Sequence, residues 1–213
     1  MTLLPMLLAT LAAGTAHAKG DDPVGLRFKL STGIVQNTTA YVANDDVDDP
    51  MKSKTTDISL FSGPARMELT YQLAEGIEAG ALIGYDRTTS KFENDETEAE
   101  DENTSLDTEL MFAITGAYNI KLGGGARLFI QPIVGIDNMN STTKDKDVEN
   151  KVNSIVYGGD VGVRLKAFKR ASFDISGEYL GLSGTFINDG EKDEDNKLKA
   201  TQIGLRSGIS IMF

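Results

Sequence analysis

The chain has 213 residues, enough for one large domain or two small ones. Its net charge of −11 argues against nucleic acid as a partner, because phosphates are bound by cationic surfaces. It contains no Cys, which excludes disulfides and thiolate metal sites, and beyond residue 18 it has no apolar run of about 18 residues that would form a membrane helix.

The N-terminal segment 1–18 has the composition of a secretory signal peptide. An apolar stretch is followed by Ala16-His17-Ala18, a small-x-small pattern typical of a cleavage site. Only the terminal amine supplies the positive charge that usually begins such a segment. We therefore predict cleavage near Ala18, which would leave a mature domain over residues 19–213 and remove the only His of the chain.

Eight segments of the remaining chain alternate apolar and polar residues with a period of two, a pattern that predicts β-strands. They lie at about 24–35, 56–73, 77–86, 106–120, 128–137, 155–166, 173–180 and 198–213. Long polar connections follow the first, third, fifth and seventh strands, and short turns follow the others. This alternation predicts an antiparallel up-and-down sheet with every long loop at one end.

The alternation fits two opposite structures: a soluble lipocalin-like barrel with its apolar face around a ligand, and a membrane barrel with that face toward lipid. Three features favour the membrane barrel. The polar face is rich in Gly, for example Gly80, Gly135 and Gly162, as a narrow interior requires. Aromatic residues such as Tyr85 and Tyr157 gather near strand ends, as in interfacial girdles. The apolar face also lacks charge in mid-strand.

A membrane barrel of eight strands has room inside only for side chains. The predicted inward face carries six basic and seven acidic residues, and we expect these charges to form an ion-pair network that fills the interior, because a desolvated charge needs a partner. A polar conduit for small solutes or ions is the alternative. The predicted network consists of Arg27, Lys29, Arg66, Glu68, Glu78, Asp107, Glu109, Asp160, Arg164, Lys166, Asp174, Glu178 and Arg206.

Acidic residues cluster in the predicted long loops, around 45–49, 93–102 and 189–195. Carboxylates are suitable ligands for Ca²⁺ or Mg²⁺, but none of these runs has the spacing of an EF-hand. We therefore predict diffuse attraction of divalent cations by the acidic loops and no specific metal site.

The closing strand ends in Ile209-Ser210-Ile211-Met212-Phe213, an apolar alternation with a terminal aromatic residue. With the eight alternating segments and the Ala16-His17-Ala18 site, this ending resembles small bacterial outer-membrane barrels of the OmpA-like and opacity-protein-like superfamily. The resemblance implies an outer-membrane location in a Gram-negative bacterium and contact with membrane lipid and lipopolysaccharide. It also implies insertion by the barrel-assembly machinery, with Ile209, Ile211 and Phe213 as the assembly signal. We further expect a monomer.

Enzymes among small outer-membrane barrels use a His as general base, and the mature chain would lack one. Asp86, Asp137 and Asp160 are potential bases, but none accompanies a nucleophile in a recognisable motif. We therefore predict that the protein is not an enzyme and needs no cofactor.

The predicted fold class is all-β: an eight-stranded antiparallel up-and-down transmembrane β-barrel with short periplasmic turns and long acidic external loops. The leading functional hypothesis is a non-enzymatic envelope protein that is structural or adhesive. A narrow porin-like channel is the first alternative. A soluble lipocalin-like carrier of a hydrophobic ligand is the second.

Overall fold

The computed structural model describes residues 25–43, 51–57, 65–92, 103–143, 148–188 and 191–213. The predicted signal peptide and the acidic runs at 45–49 and 93–102 lie outside these ranges. Among the described residues no helix is long and apolar enough to cross a membrane. The described chain forms nine strands: β1 Leu26–Ala43, β2 Met51–Asp57, β3 Ala65–Ala74, β4 Ile77–Phe92, β5 Asn103–Gly123, β6 Ala126–Thr143, β7 Val148–Lys166, β8 Ala171–Asn188 and β9 Glu191–Met212.

The strands form one closed antiparallel sheet in the order β2-β1-β3-β4-β5-β6-β7-β8-β9, and β9 also pairs with β1. Strands β2 and β3 share one position in the ring. The first part of β1 pairs with β3 and its later part pairs with β2. The described strands therefore occupy eight positions, which confirms the predicted eight-stranded up-and-down barrel.

The stagger of the strands fixes the width of the barrel. A circuit through paired residues that leaves β9 at Gly208 returns to β9 at Leu198, which is ten residues away. With ordinary strand spacings, this stagger over eight positions gives a strand tilt of roughly 40° and a backbone radius of roughly 8 Å. Side chains alone can fill an interior of this size.

Three short turns join the strands at one end, here called the short-turn end. Two of them depend on glycines in the left-handed region, with φ of 74° at Gly76 and 60° and 83° at Gly124 and Gly125. The third turn spans 167–170 and is closed by hydrogen bonds from the amides of Ala167 and Phe168 to the Ala171 carbonyl. The opposite end, where long loops were predicted, is here called the long-loop end and carries the other connections.

The strands are longer at the long-loop end than the sequence pattern predicts. The polar stretches 138–153 and 188–197 were expected to be loops, but β6 continues to Thr143, β7 begins at Val148 and β9 begins at Glu191. The apolar alternation marks only the part of a strand that faces lipid. Backbone pairing continues beyond it, where both faces of the strand carry polar residues.

The outward face of the barrel is an apolar belt. Its large side chains are well exposed, for example Ile114 at 71%, Leu205 at 64% and Ile155 at 60%. On β6 the belt spans 128–136, close to the length that a membrane-crossing strand needs. No outward position of the belt in the described strands carries a charge. This arrangement contradicts the lipocalin-like alternative, which requires the apolar face to point inward.

Candidate functional site in the barrel interior

The predicted network residues occupy three kinds of position. Asp107 and Glu109 are half-buried on β5 toward the long-loop end. Lys166 was predicted to belong to the buried network, and this prediction is wrong. Its side chain is exposed at the short-turn end, because β7 ends there and the interior opens to solvent. The other ten are buried inside the barrel: Arg27, Lys29, Arg66, Glu68, Glu78, Asp160, Arg164, Asp174, Glu178 and Arg206.

A lower cluster of ion pairs lies near the short-turn end. Arg164 donates to both carboxylate oxygens of Asp174, with Nε at 3.0 Å from Oδ1 and Nη2 at 3.0 Å from Oδ2. Glu78 Oε1 lies 2.7 Å from Arg27 Nη1 and 3.3 Å from Arg164 Nη1. Asn119 joins them by donating to Glu78 at 3.1 Å and accepting from Arg164 at 2.9 Å. Each carboxylate in the cluster therefore has a cationic partner.

An aromatic ring supports the same cluster. Phe129 points inward and is fully buried, with Lys29 Nζ and the Arg164 guanidinium each 5.2 Å from its ring centroid. The ring's negative face favours both cations, and its bulk removes them from water. The pairs of the lower cluster are consequently poorly screened.

A second cluster centres on Glu178, which accepts from Arg66 and from Arg206 Nε, the latter at 2.8 Å. Nearby, the side-chain amide of Gln131 donates to Glu68 Oε2 at 2.8 Å and to Thr115 Oγ1 at 3.0 Å. Two guanidinium groups thus share one carboxylate, which is buried away from solvent.

The interior also holds an apolar cluster, which the sequence analysis missed. It is formed by inward residues of β4 to β8: Leu82, Met111, Ala113, Ile133, Val156 and Leu180. Their alternation along each strand predicted that they face inward. Because the interior was expected to be polar, the sequence analysis did not predict that they lie at the same level and pack together. Such a cluster can be identified by comparing the inward residues that lie at the same level on adjacent strands.

Asp137 is a further inward residue that the predicted network omitted. It is 2% exposed and shares the inward face of β6 with Phe129 and Ile133. With Asp137 included, the described interior has five buried cations and six buried carboxyl groups, so the interior charge is near balance. The described residues contain no cluster of His, Cys, Asp or Glu suited to a metal ion.

An exposed apolar belt around a charged, buried interior defines a transmembrane β-barrel. Solved structures of outer-membrane proteins share this fold. The outer-membrane protease OmpT from Escherichia coli aligns with a TM-score of 0.50 at 9% identity, over 94% of this chain and 100% of that one. At this identity the likeness establishes the fold alone.

Two further solved structures align less closely. Neisserial surface protein A gives a TM-score of 0.47 at 8% identity, over 89% of this chain and 97% of that one. The attachment invasion locus protein Ail of Yersinia pestis gives 0.40 at 13% identity, over 87% and 99%. No family model matches the chain, and no curated protein matches its sequence. The chain has the fold of a small bacterial outer-membrane β-barrel.

Proposed function

We propose that this protein is a closed, non-catalytic outer-membrane barrel whose long-loop end serves as an interaction surface on the outside of the cell. The short turns would then face the periplasm, as they do in outer-membrane barrels generally. The observation that carries the proposal is the filled interior. In the part of the chain that the structure describes, packed side chains fill the interior, so the proposal assigns the function to the ends of the barrel and to its stability.

The filling is visible in the exposure of inward side chains. A water-filled lumen would leave them accessible, but Gln131 is 1% exposed, Ile133 0% and Leu180 1%. Gln131 and Ile133 lie on β6 and Leu180 lies on β8, and they belong to both the polar and the apolar filling. A hydrated ion would have to displace packed side chains to pass them, which argues against the porin-like alternative.

Planar-bilayer recording tests the closed interior. Purified barrel is expected to give no discrete conductance steps, because the apolar cluster and the ion pairs block the lumen. Replacing both Leu82 and Ile133 with Ser should introduce steps if the apolar cluster is part of the seal, and the corresponding outward pair, Ile83→Ser with Val134→Ser, is the matched control. Regular steps from the unmodified protein would refute the proposal and favour a narrow channel.

The absence of catalysis is part of the proposal. The chain's only His is His17 and it has no Cys, which leaves few groups for nucleophilic or general-base chemistry. Three of the inward carboxylates, Glu78, Asp174 and Glu178, are held by arginines. A carboxylate that is fixed in a buried ion pair is a poor base for an external substrate.

The proposed partners are outer-membrane lipid, lipopolysaccharide and, during biogenesis, the barrel-assembly machinery. The proposed signal residues Ile209, Ile211 and Phe213 are exposed on the outward face of the closing strand. The amide of Phe213 also donates to the Leu26 carbonyl at 2.8 Å, so this residue extends the β1–β9 seam. We propose that the barrel works as a monomer and that its acidic loops attract divalent cations diffusely.

The proposed assembly signal predicts different effects of one substitution on assembly in cells and on refolding in detergent. Phe213→Ala is expected to lower the amount of folded barrel in cells several-fold, because the assembly machinery would read the terminal aromatic ring. Refolding of the same variant from urea into detergent should change little, since the backbone hydrogen bond to Leu26 does not need the ring. Equal loss in cells and in detergent would assign Phe213 a role in stability instead.

A further inference from the structure

The interior of the barrel opens at the short-turn end into a small pocket, open on one side to solvent, here called the short-turn mouth. Six of its lining residues are cationic: Arg27, Arg127, Arg164, Lys166, Lys169 and Arg170. None of its lining residues is acidic. In a chain with a net charge of −11, such a segregation of positive charge is a specific feature of this end.

Buried carboxylates balance only part of the positive charge of the mouth. Arg27 and Arg164 form the floor and are paired with the buried carboxylates of Glu78 and Asp174. Lys166, Lys169 and Arg170 form the exposed rim and have no ion pair with any described residue. The nearby surface pair of Lys121 and Glu75, with Nζ at 2.9 Å from Oε1, lies outside the lining. The rim of the mouth is therefore positively charged.

The rim also lies at the edge of the apolar belt. Leu165 and Phe173, which flank the 167–170 turn, are belt residues that are 44% and 39% exposed. Phe168 in that turn is 77% exposed, which is the behaviour of an aromatic residue at a membrane interface. Lipid phosphates are thus expected within one side-chain length of Lys166, Lys169 and Arg170.

We propose that the short-turn mouth binds a phosphoryl group, supplied by a phospholipid headgroup or by free phosphate. Several cations converge on one concave site, which suits an anion with several oxygens and more than one negative charge better than a single carboxylate. Arginine at the rim and in the wall offers the forked donors that match phosphate oxygens, and the lysines add point charge. Bound lipid would fasten the short-turn end to the membrane leaflet it faces.

The test uses the full chain refolded in a maltoside detergent, which contains no phosphate. Native mass spectrometry measures binding of phosphatidylglycerol and of diacylglycerol with the same acyl chains. The unmodified barrel should retain the phosphatidylglycerol and not the diacylglycerol. The triple variant K166Q/K169Q/R170Q should bind the phosphatidylglycerol on the order of 100-fold more weakly.

The control variant K151Q/K197Q/K199Q makes the same change in net charge with exposed lysines at the long-loop end. It should bind as the unmodified barrel does, and a heat-dependent gel shift verifies that all three proteins are folded. Equal affinity of both triple variants would overturn the proposal, and so would retention of diacylglycerol as tightly as phosphatidylglycerol.

Competition by inorganic phosphate distinguishes the two sources. Displacement of the lipid by inorganic phosphate at comparable concentration would assign the mouth to free phosphate. Lipid binding that inorganic phosphate displaces only at far higher concentration would assign it to a headgroup. Both results support the phosphoryl site, whereas binding that is insensitive to phosphate and to added salt would refute its electrostatic basis.

Discussion

Replacement of Glu178 with Gln is expected to lower the free energy of unfolding of the barrel by about 3 kcal/mol or more. The substitution keeps the size of the side chain but removes the charge that Arg66 and Arg206 share. Both arginines are at most 3% exposed, so water cannot replace the lost carboxylate. Urea unfolding in lipid vesicles, followed by circular dichroism, measures the effect.

Glu75→Gln is the matched control, because it breaks an ion pair with Lys121 that is exposed at the short-turn end. Exposed pairs contribute at most about 1 kcal/mol, and salt screens them further. A second variant, Glu178→Gln combined with Arg206→Met, should recover part of the loss because it removes one uncompensated cation. Equal effects of Glu178→Gln and Glu75→Gln would show that the interior is hydrated and the network is not a desolvated core.

Replacement of Ile114 with Arg is expected to destabilise the inserted barrel by about 2–4 kcal/mol. Ile114 is 71% exposed near the middle of the belt on β5, where a guanidinium would have to leave water for hydrocarbon. The same substitution at Phe168, which is more exposed but lies in a turn, should cost about 0–1 kcal/mol.

The comparison of the two Arg variants separates a lipid surface from a water-facing one. Reversible unfolding from vesicles gives both values under the same conditions. If Ile114→Arg and Phe168→Arg have the same small effect, the belt faces water and the barrel does not span a bilayer as described.

The sequence predicted the barrel because a period of two is visible wherever one face of a strand meets lipid and the other meets the interior. The Gly-rich inward face, the aromatic residues near strand ends and the uncharged middle of the apolar face together favoured the membrane orientation of that pattern. The ends of the strands were not predictable in the same way. In 138–143 and 191–197 both faces carry polar side chains, so no alternation marks strands that backbone pairing nevertheless maintains.

The sequence predicted which residues face the interior, but it did not predict which of them contact one another. Parity placed Arg27, Glu78 and Arg164 on the inward face, but their partnership depends on the stagger of ten residues per circuit, which is a property of the closed sheet. The apolar cluster around Ile133 escaped for the same reason. Lys166 has the alternation of an inward residue but lies where the interior opens to solvent. The alternation shows which face of the sheet a residue occupies, not how far along the barrel axis it lies.

Gel mobility of the detergent-extracted membrane fraction, with and without boiling, tests the central claim most directly. A closed barrel with its apolar face toward lipid should be recovered in that fraction and should migrate differently before and after heating, with a circular dichroism spectrum dominated by strand. A protein that remains soluble without detergent and shows no heat-dependent shift would contradict the outward orientation of the apolar face.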